Sequence, residues 1–243
     1  MAAAAVVDVA PELQKKIMAD LKSQLAGNKR FQRLCDVLAN GEATLATAHE
    51  VAIVVGEQTS AVLMSVLTPD VLPDGRLWYN IADRTMRPAM ELGDSVVAKY
   101  TEAVQTQLNQ QAGLNIKVIR PKTNTNNIKN LCGLASDYED FADGRWVLGD
   151  PIVTNSEMMV DRFVQVNAMF AEQAGLAPQI VRIAEPDCCP WCADLEGYYD
   201  YSEVRNKGND VYRRHNNCHC VVEYFPMTGR SQNVWDHTQW RNY

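Results

Sequence analysis

Apolar side chains recur every three or four positions through most of the chain before residue 175, which is the spacing of amphipathic helices. Leu13, Ile17, Leu21 and Leu25 predict a first helix, which the pair Gly27-Asn28 ends. The same pattern predicts a short helix with Phe31, Leu34 and Leu38, a long helix over about 44–67, a second long helix over about 83–112, a helix through Ile128 and Leu131, and one over about 156–174.

The predicted helices have recognisable end signals. Pro88 fits the first turns of the helix over 83–112, and Gly113 follows its last turn. Asn155 or Ser156 is the expected N-cap of the helix over 156–174, and Gly175 follows its end. The first two-thirds of the chain therefore predict a helical bundle.

Alternating apolar and polar positions predict strands in three places. One is a short strand near 114–119, before Pro121. A second covers 179–184, and a third begins at Val221 and is expected to break at Phe225-Pro226, because proline cannot donate a ladder hydrogen bond.

Two knuckles rich in cysteine and histidine flank the stretch between the last two strands. Cys189 and Cys192 form a C-x2-C pattern, and His215, Cys218 and Cys220 form H-x2-C-x-C. Paired knuckles of this kind supply the sulfur and nitrogen ligands of a structural zinc ion. The preferred ligand set is Cys189, Cys192, His215 and Cys220, with Cys218 as the substitute, because alternation would place both of the last two cysteines on one face.

A metal would also supply the stability that this segment lacks. Its roughly forty residues are rich in glycine, asparagine and charge, so they bury too little apolar surface to fold alone. A structural zinc ion contributes roughly 10–16 kcal/mol of apparent binding free energy. Cys192→Ser is therefore expected to unfold the region after Asp187 and to leave the helical body largely intact.

Three other motifs are matched only in part. Cys189-Pro190-Trp191-Cys192 after a strand resembles a thioredoxin-type redox motif, but that fold needs more strand after the motif and leaves the second knuckle unexplained. A zinc deaminase needs an upstream H-x-E and a proline before its C-x2-C, and neither is present. The sequence from His49 to Ile53 lacks the second histidine of the zinc-protease motif.

Fold class and domain limits follow from these patterns. We predict an α+β protein with a mainly helical body over residues 1–178 and a small zinc-stabilised, β-containing subdomain over 179–226. A C-terminal tail over 227–243 holds Trp235 and Trp240 and is expected to pack on this chain or on a partner.

Composition and charge narrow the function. The net charge of −7 argues against general binding to duplex DNA. No apolar run reaches the ~18 residues of a membrane span, and the first seven residues lack the basic start of a signal peptide. The acidic run over 137–143 is interpreted as a solvated face, because it lacks the turn glycine of an EF-hand loop.

Several motifs together resemble the Mu-F-type minor head (head-morphogenesis) proteins of tailed bacteriophages. In that family a C-x2-C followed by Leu-x-Gly precedes an H-x2-C-x-C, and His219 stands where the family more often has arginine. The residues that carry the resemblance extend from about residue 70 onward: Gly75 to Ala82, Arg87-Pro88, Gly113 to Lys117, Cys189 to Gly197, Tyr198-Tyr199, Asn209 to His215, Cys218 to Tyr224 and Gly229 to Trp235.

The resemblance implies a structural virion protein of the phage head, without catalytic activity, small-molecule substrate or membrane association. It implies partners in the portal protein or the major capsid protein, assembly in the host cytoplasm, and a role in head assembly, DNA packaging or DNA delivery; contact with packaged DNA stays open. The competing interpretation is a small treble-clef nuclease in which His215 is the base, supported by Asn216 or Asn217.

Overall fold

The computed structural model describes residues 8–206, 208–215 and 217–227. Within them the helices are α1 (Ala10–Gly27), α2 (Lys29–Ala39), α3 (Leu45–Val66), α4 (Tyr79–Gln111), α5 (Thr125–Ser136), α6 (Phe141–Gly144), α7 (Asp150–Gln173), α8 (Pro190–Asp194) and α9 (Tyr201–Val204). The strands are β1 (Ala177–Ile183), β2 (Gly197–Asp200) and β3 (Val221–Met227). Short 3₁₀ turns cover Pro69–Val71, Pro73–Gly75, Arg145–Leu148 and Asp210–Tyr212. The predicted class, mainly helical with a small C-terminal sheet, is confirmed.

Helix α3 is the centre of the helical body and packs against α1, α4 and α7. Its apolar residues face several directions, so the helix is enclosed rather than amphipathic. Thr44 caps its first turn: the Thr44 hydroxyl accepts from the Thr47 N–H, and the Thr47 hydroxyl accepts from the Thr44 N–H. The sequence-based limits of this helix, about 44–67, are therefore confirmed.

Two long helices begin earlier than their patterns predicted. Helix α4 starts at Tyr79, which places Pro88 in its third turn rather than in its first turns. Helix α7 starts at Asp150, where Pro151 occupies one of the first two helical positions. Asn155 and Ser156, the expected N-caps, instead lie buried inside α7.

The strand predicted near 114–119 does not form: residues 114–124, all described, contain neither helix nor strand. A side chain, and not a neighbouring strand, pairs with the backbone of this segment. The Asn167 amide on α7 accepts a hydrogen bond from the Ile119 N–H and donates one to the Ile119 carbonyl, both at 2.8 Å. Asn167 thus satisfies both backbone groups of Ile119, as a neighbouring strand would have done.

The three strands form an antiparallel sheet with the order β2-β1-β3. Strand β3 continues through Phe225 and Pro226, contrary to the predicted break, and Pro226 lies opposite Pro178 of β1. Within the described residues β3 is an edge strand, so one side of its backbone has no neighbouring strand to hydrogen-bond. Proline, which lacks an N–H, is tolerated at such an edge.

One face of the sheet packs against the helical body. Ile180 and Arg182 of β1 lie opposite Tyr224 and Val222 of β3, and all four side chains are buried. Ile180, Val222 and Tyr224 belong to the same apolar cluster as the helices. The last buried position of this face is Arg182, which adjoins the cysteine cluster.

No described helix is both long and apolar enough to cross a membrane. The expected helix through Ile128 and Leu131 is α5. The predicted docking of Trp235 and Trp240 concerns residues outside the described part of the chain.

Candidate metal centre

Two local structures bring the two knuckles together. After β1 the chain turns into α8, with Cys189 at the N-cap and Cys192 in the first turn. The second knuckle lies on the segment that leads from the Asp210–Tyr212 turn into β3. Because β1 and β3 are neighbours, the two knuckles meet at the same end of the sheet.

All five predicted ligands belong to the resulting cluster. Cys189, Cys192 and His215 form one group whose ligand atoms lie within 4.8 Å of one another, and Cys192, Cys218 and Cys220 form a second. Cys192 is common to both groups. Cys192, Cys218 and Cys220 are each about 1% exposed, so the sulfurs converge in a closed environment.

Three distances between ligand atoms are close to those around a tetrahedral ion. Bonds of about 2.3 Å to sulfur and about 2.0 Å to nitrogen place two ligand sulfurs roughly 3.8 Å apart, and sulfur and nitrogen roughly 3.5 Å apart. The Cys192 and Cys218 sulfurs are 3.6 Å apart. His215 Nε2 lies 3.2 Å from the Cys189 sulfur and 3.1 Å from the Cys192 sulfur. This cysteine and histidine cluster could therefore hold a metal ion.

A buried arginine stands behind the cluster. Arg182 Nη2 lies 3.7 Å from the Cys192 sulfur and 3.6 Å from the Cys218 sulfur. Its Nη1 donates to the carbonyls of Val211 and Arg213 at 2.7 and 3.0 Å, which fixes the guanidinium. Burial, the largest influence, raises the pKa of the Cys192 thiol, and the hydrogen bond from Arg182 acts in the opposite direction.

The two cysteines of the C-x-C pair differ in acidity. A hydrogen bond from Cys220 is the largest influence on Cys218, and with the charge of Arg214 it lowers the pKa of the Cys218 thiol to about 4. The same hydrogen bond, in which Cys220 is the donor, raises the pKa of the Cys220 thiol, and burial adds to this. The two sulfurs lie side by side, and both are within 4.8 Å of the Cys192 sulfur.

A second buried cluster of polar side chains, not predicted from the sequence, joins this region to the helical body. Arg214 Nη1 donates to the Glu157 carboxylate at 3.1 Å, and Nη2 donates to Asp161 Oδ1 at 2.9 Å. The Arg214 and Glu157 side chains are 0% exposed. Glu157 and Asp161 are four residues apart on α7 and so share a helical face, the one sequence signal that could have indicated an acidic site there.

His49 of α3 closes this second cluster. Arg214 Nη2 lies 3.2 Å from His49 Nδ1, and His49 Nε2 lies 3.2 Å from the Val222 carbonyl. The Val222 N–H also lies 3.3 Å from Nε2, so the Arg214 contact assigns the tautomer. Because a guanidinium can only donate, Nδ1 accepts from Arg214 and Nε2 carries the proton. Burial lowers the pKa of His49 to about 4, and the charge of Arg214 acts in the same direction.

Other residues considered in the sequence lie outside the metal cluster. His219 turns towards α7, where its Nδ1 is 3.3 Å from Glu157 Oε2. Cys188 packs against the cysteines from the side. Asn217, one of the two residues proposed to support a nuclease base, is a left-handed residue of the loop with φ 60°; Asn216 lies outside the described residues.

Comparison with known proteins finds no match to a family model, to a curated protein or to a solved structure. The function is therefore inferred from the motifs and from the geometry of the cluster.

Proposed function

We propose that the cluster binds one structural zinc ion. Thiolate and imidazole ligands suit zinc better than the hard cations calcium and magnesium, which prefer oxygen. Cys189, Cys192 and His215 supply three ligands, and Cys218 or Cys220 supplies the fourth. Four protein ligands would close the coordination sphere, which is typical of zinc that stabilises a fold.

We propose further that the chain is a minor head protein of a tailed phage. C-x2-C followed by H-x2-C-x-C is the pattern on which the resemblance to that family depends. The observation that supports the proposal is that the two knuckles lie together, as two groups of three ligand atoms that share Cys192. The zinc-bearing end and the helical body act in assembly, with the portal protein or the major capsid protein as partner.

The position of His215 argues against the nuclease alternative. Its Nε2 lies within 3.2 Å of two cysteine sulfurs, so a bound metal would occupy the lone pair that a general base needs. A plasmid-nicking assay with and without Mg²⁺ separates the two functions, and we expect no Mg²⁺-dependent nicking.

The experiment that tests the proposed function locates the chain in the particle. The phage whose genome encodes it is grown, and its heads are separated from soluble protein on a density gradient. Mass spectrometry should find the chain in the head fraction, at a copy number far below that of the major capsid protein. The soluble fraction from the same gradient is the control. Recovery only in the soluble fraction would contradict the proposal.

A further inference from the structure

The cluster of Arg214, Glu157, Asp161 and His49, here called the arginine cluster, lies between the metal centre and the helices. Arg214 directly precedes the candidate ligand His215. Its guanidinium contacts residues on both sides. On the helical side it contacts two carboxylates of α7 and the imidazole of α3.

On the metal side the same guanidinium bonds the backbone of two candidate ligands. Arg214 Nη1 donates to the Cys218 carbonyl at 2.9 Å, and Nη2 donates to the Cys220 carbonyl at 2.7 Å. Three candidate ligands, His215, Cys218 and Cys220, are thus either adjacent to Arg214 in sequence or hydrogen-bonded to it through their carbonyls. A change in the path of this loop would move Arg214 and the ligands together.

The burial of the arginine cluster makes this arrangement energetically demanding. A guanidinium withdrawn from water loses its hydration, and only paired carboxylates and correctly placed acceptors compensate for that loss. The loop from the Asp210–Tyr212 turn to β3 has little regular structure of its own to keep its acceptors in place. A metal ion bound by residues of this loop would keep these carbonyl acceptors in place.

From this geometry we propose that Arg214 is a positioning residue that couples metal binding to the docking of the C-terminal sheet on α3 and α7. The inference rests on the proposed zinc ion. With the ion bound, the loop holds the Cys218 and Cys220 carbonyls where Arg214 needs them, and Arg214 donates hydrogen bonds to Glu157 and Asp161. Without the ion, the loop loosens, Arg214 loses acceptors, and two buried acids of α7 lose the donor that satisfies them.

Coupling of this kind acts in both directions, because the effect of one binding event on another is reciprocal. Loss of zinc should weaken the contact between the sheet and α7. Loss of the Arg214 guanidinium should weaken zinc binding, although Arg214 is not itself a ligand. This differs from the sequence-based expectation that loss of the metal leaves the helical body largely intact.

The first test uses the full chain loaded with zinc, and the same chain after chelation, in hydrogen exchange. We expect chelation to accelerate exchange in the loop and sheet, and also in α7 around residues 157–164 and in the first turns of α3. Helix α1, which packs on α3 and α4, is the internal reference. Faster exchange limited to residues 185–227, with α7 unchanged, would overturn the proposal.

The second test compares Arg214→Lys with the neighbouring control Arg213→Lys. Lysine keeps the charge but cannot bond two carboxylates and two carbonyls together. The Arg213 side chain is 65% exposed and pairs with Asp210 on the surface, so its replacement should have little effect. Competition with a chelator should show zinc affinity reduced at least about tenfold for Arg214→Lys, as for other groups that orient ligands, and nearly unchanged for Arg213→Lys.

The outcomes separate the two proposals. If the unaltered chain binds no zinc, the proposed metal fails, and the coupling fails with it. If the chain binds zinc but Arg214→Lys binds it equally well, only the coupling fails. If Arg214→Lys does not fold, Asp161→Asn takes its place: it removes one acceptor of the same guanidinium from the α7 side, and unchanged zinc affinity in that variant would equally overturn the coupling.

Discussion

Gly56 of α3 lies so close to Val153 of α7 that a methyl group on Gly56 would be 2.6 Å from the Val153 Cα. The missing side chain lets the backbones of the two helices approach each other. Because the neighbouring atom is backbone, no side-chain rotation can relieve the overlap. This contact sets the separation of the two helices that carry His49 and the carboxylates of the arginine cluster.

Gly56→Ala should therefore destabilise the protein, although alanine is the better helix former. We expect the free energy of unfolding to fall by about 1–3 kcal/mol, the usual cost of overpacking a core. Gly133→Ala in α5 is the matched control, since beyond its chain neighbours and the adjoining helix backbone no atom lies within 4 Å of the added methyl group. That variant should be unchanged or more stable by up to about 1 kcal/mol. Denaturant unfolding measures both, and a Gly56→Ala protein as stable as the unaltered chain would show that the helices are not held this closely.

The two cysteines of the C-x-C pair should differ as ligands. Cys218→Ser should lower zinc affinity more than Cys220→Ser, because the Cys218 sulfur lies 3.6 Å from the Cys192 sulfur, close to the separation of two zinc-bound sulfurs. The sequence-based preference was for Cys220, with Cys218 as the substitute. Competition with a chelator measures the zinc affinity of both variants. A larger loss of affinity in Cys220→Ser would contradict this prediction and favour Cys220 as the ligand.

The free energy of unfolding should depend on pH through Asp94, which is far along the chain from the metal ligands. Burial raises its pKa from the ordinary 3.8 to about 7, against the opposing charge of Arg162. The folded state therefore holds this proton more tightly than the unfolded state. The stabilisation is fully present below pH 4 and is lost as the pH rises through about 7.

Asp94→Asn removes this dependence and keeps a group that can face Asn155, which donates to Asp94 at 3.2 Å. Between pH 5 and pH 8 the variant should gain roughly 3 kcal/mol in unfolding free energy relative to the unaltered chain. Denaturant unfolding of both zinc-loaded proteins at the two pH values provides the measurement. A difference between the two proteins that does not change with pH would mean that Asp94 is ionised at an ordinary pKa in the folded state.

Local patterns could predict the features that depend on local physics. The limits of α3 follow from the Thr44 cap and a continuous apolar run, and the metal cluster follows from the spacing within each knuckle. The prediction of a strand near 114–119 was wrong. The Ile119 backbone pairs instead with the side chain of Asn167, 48 positions away, and periodicity cannot reveal such a partner.

The arginine cluster could not be predicted for a related reason. Whether Arg214 is solvated or buried depends on carboxylates that precede it by 53 and 57 residues. An arginine next to a knuckle is ordinarily a surface residue, so its burial becomes visible only when α7 and β3 are placed side by side.

Elemental analysis of the freshly purified full chain tests the central claim most directly. The account predicts about one zinc ion per chain. A strong chelator should remove the ion and make the thiols reactive, and the Cys192→Ser variant should contain less zinc. A metal-free protein whose cluster sulfurs are bridged to one another as disulfides would contradict it.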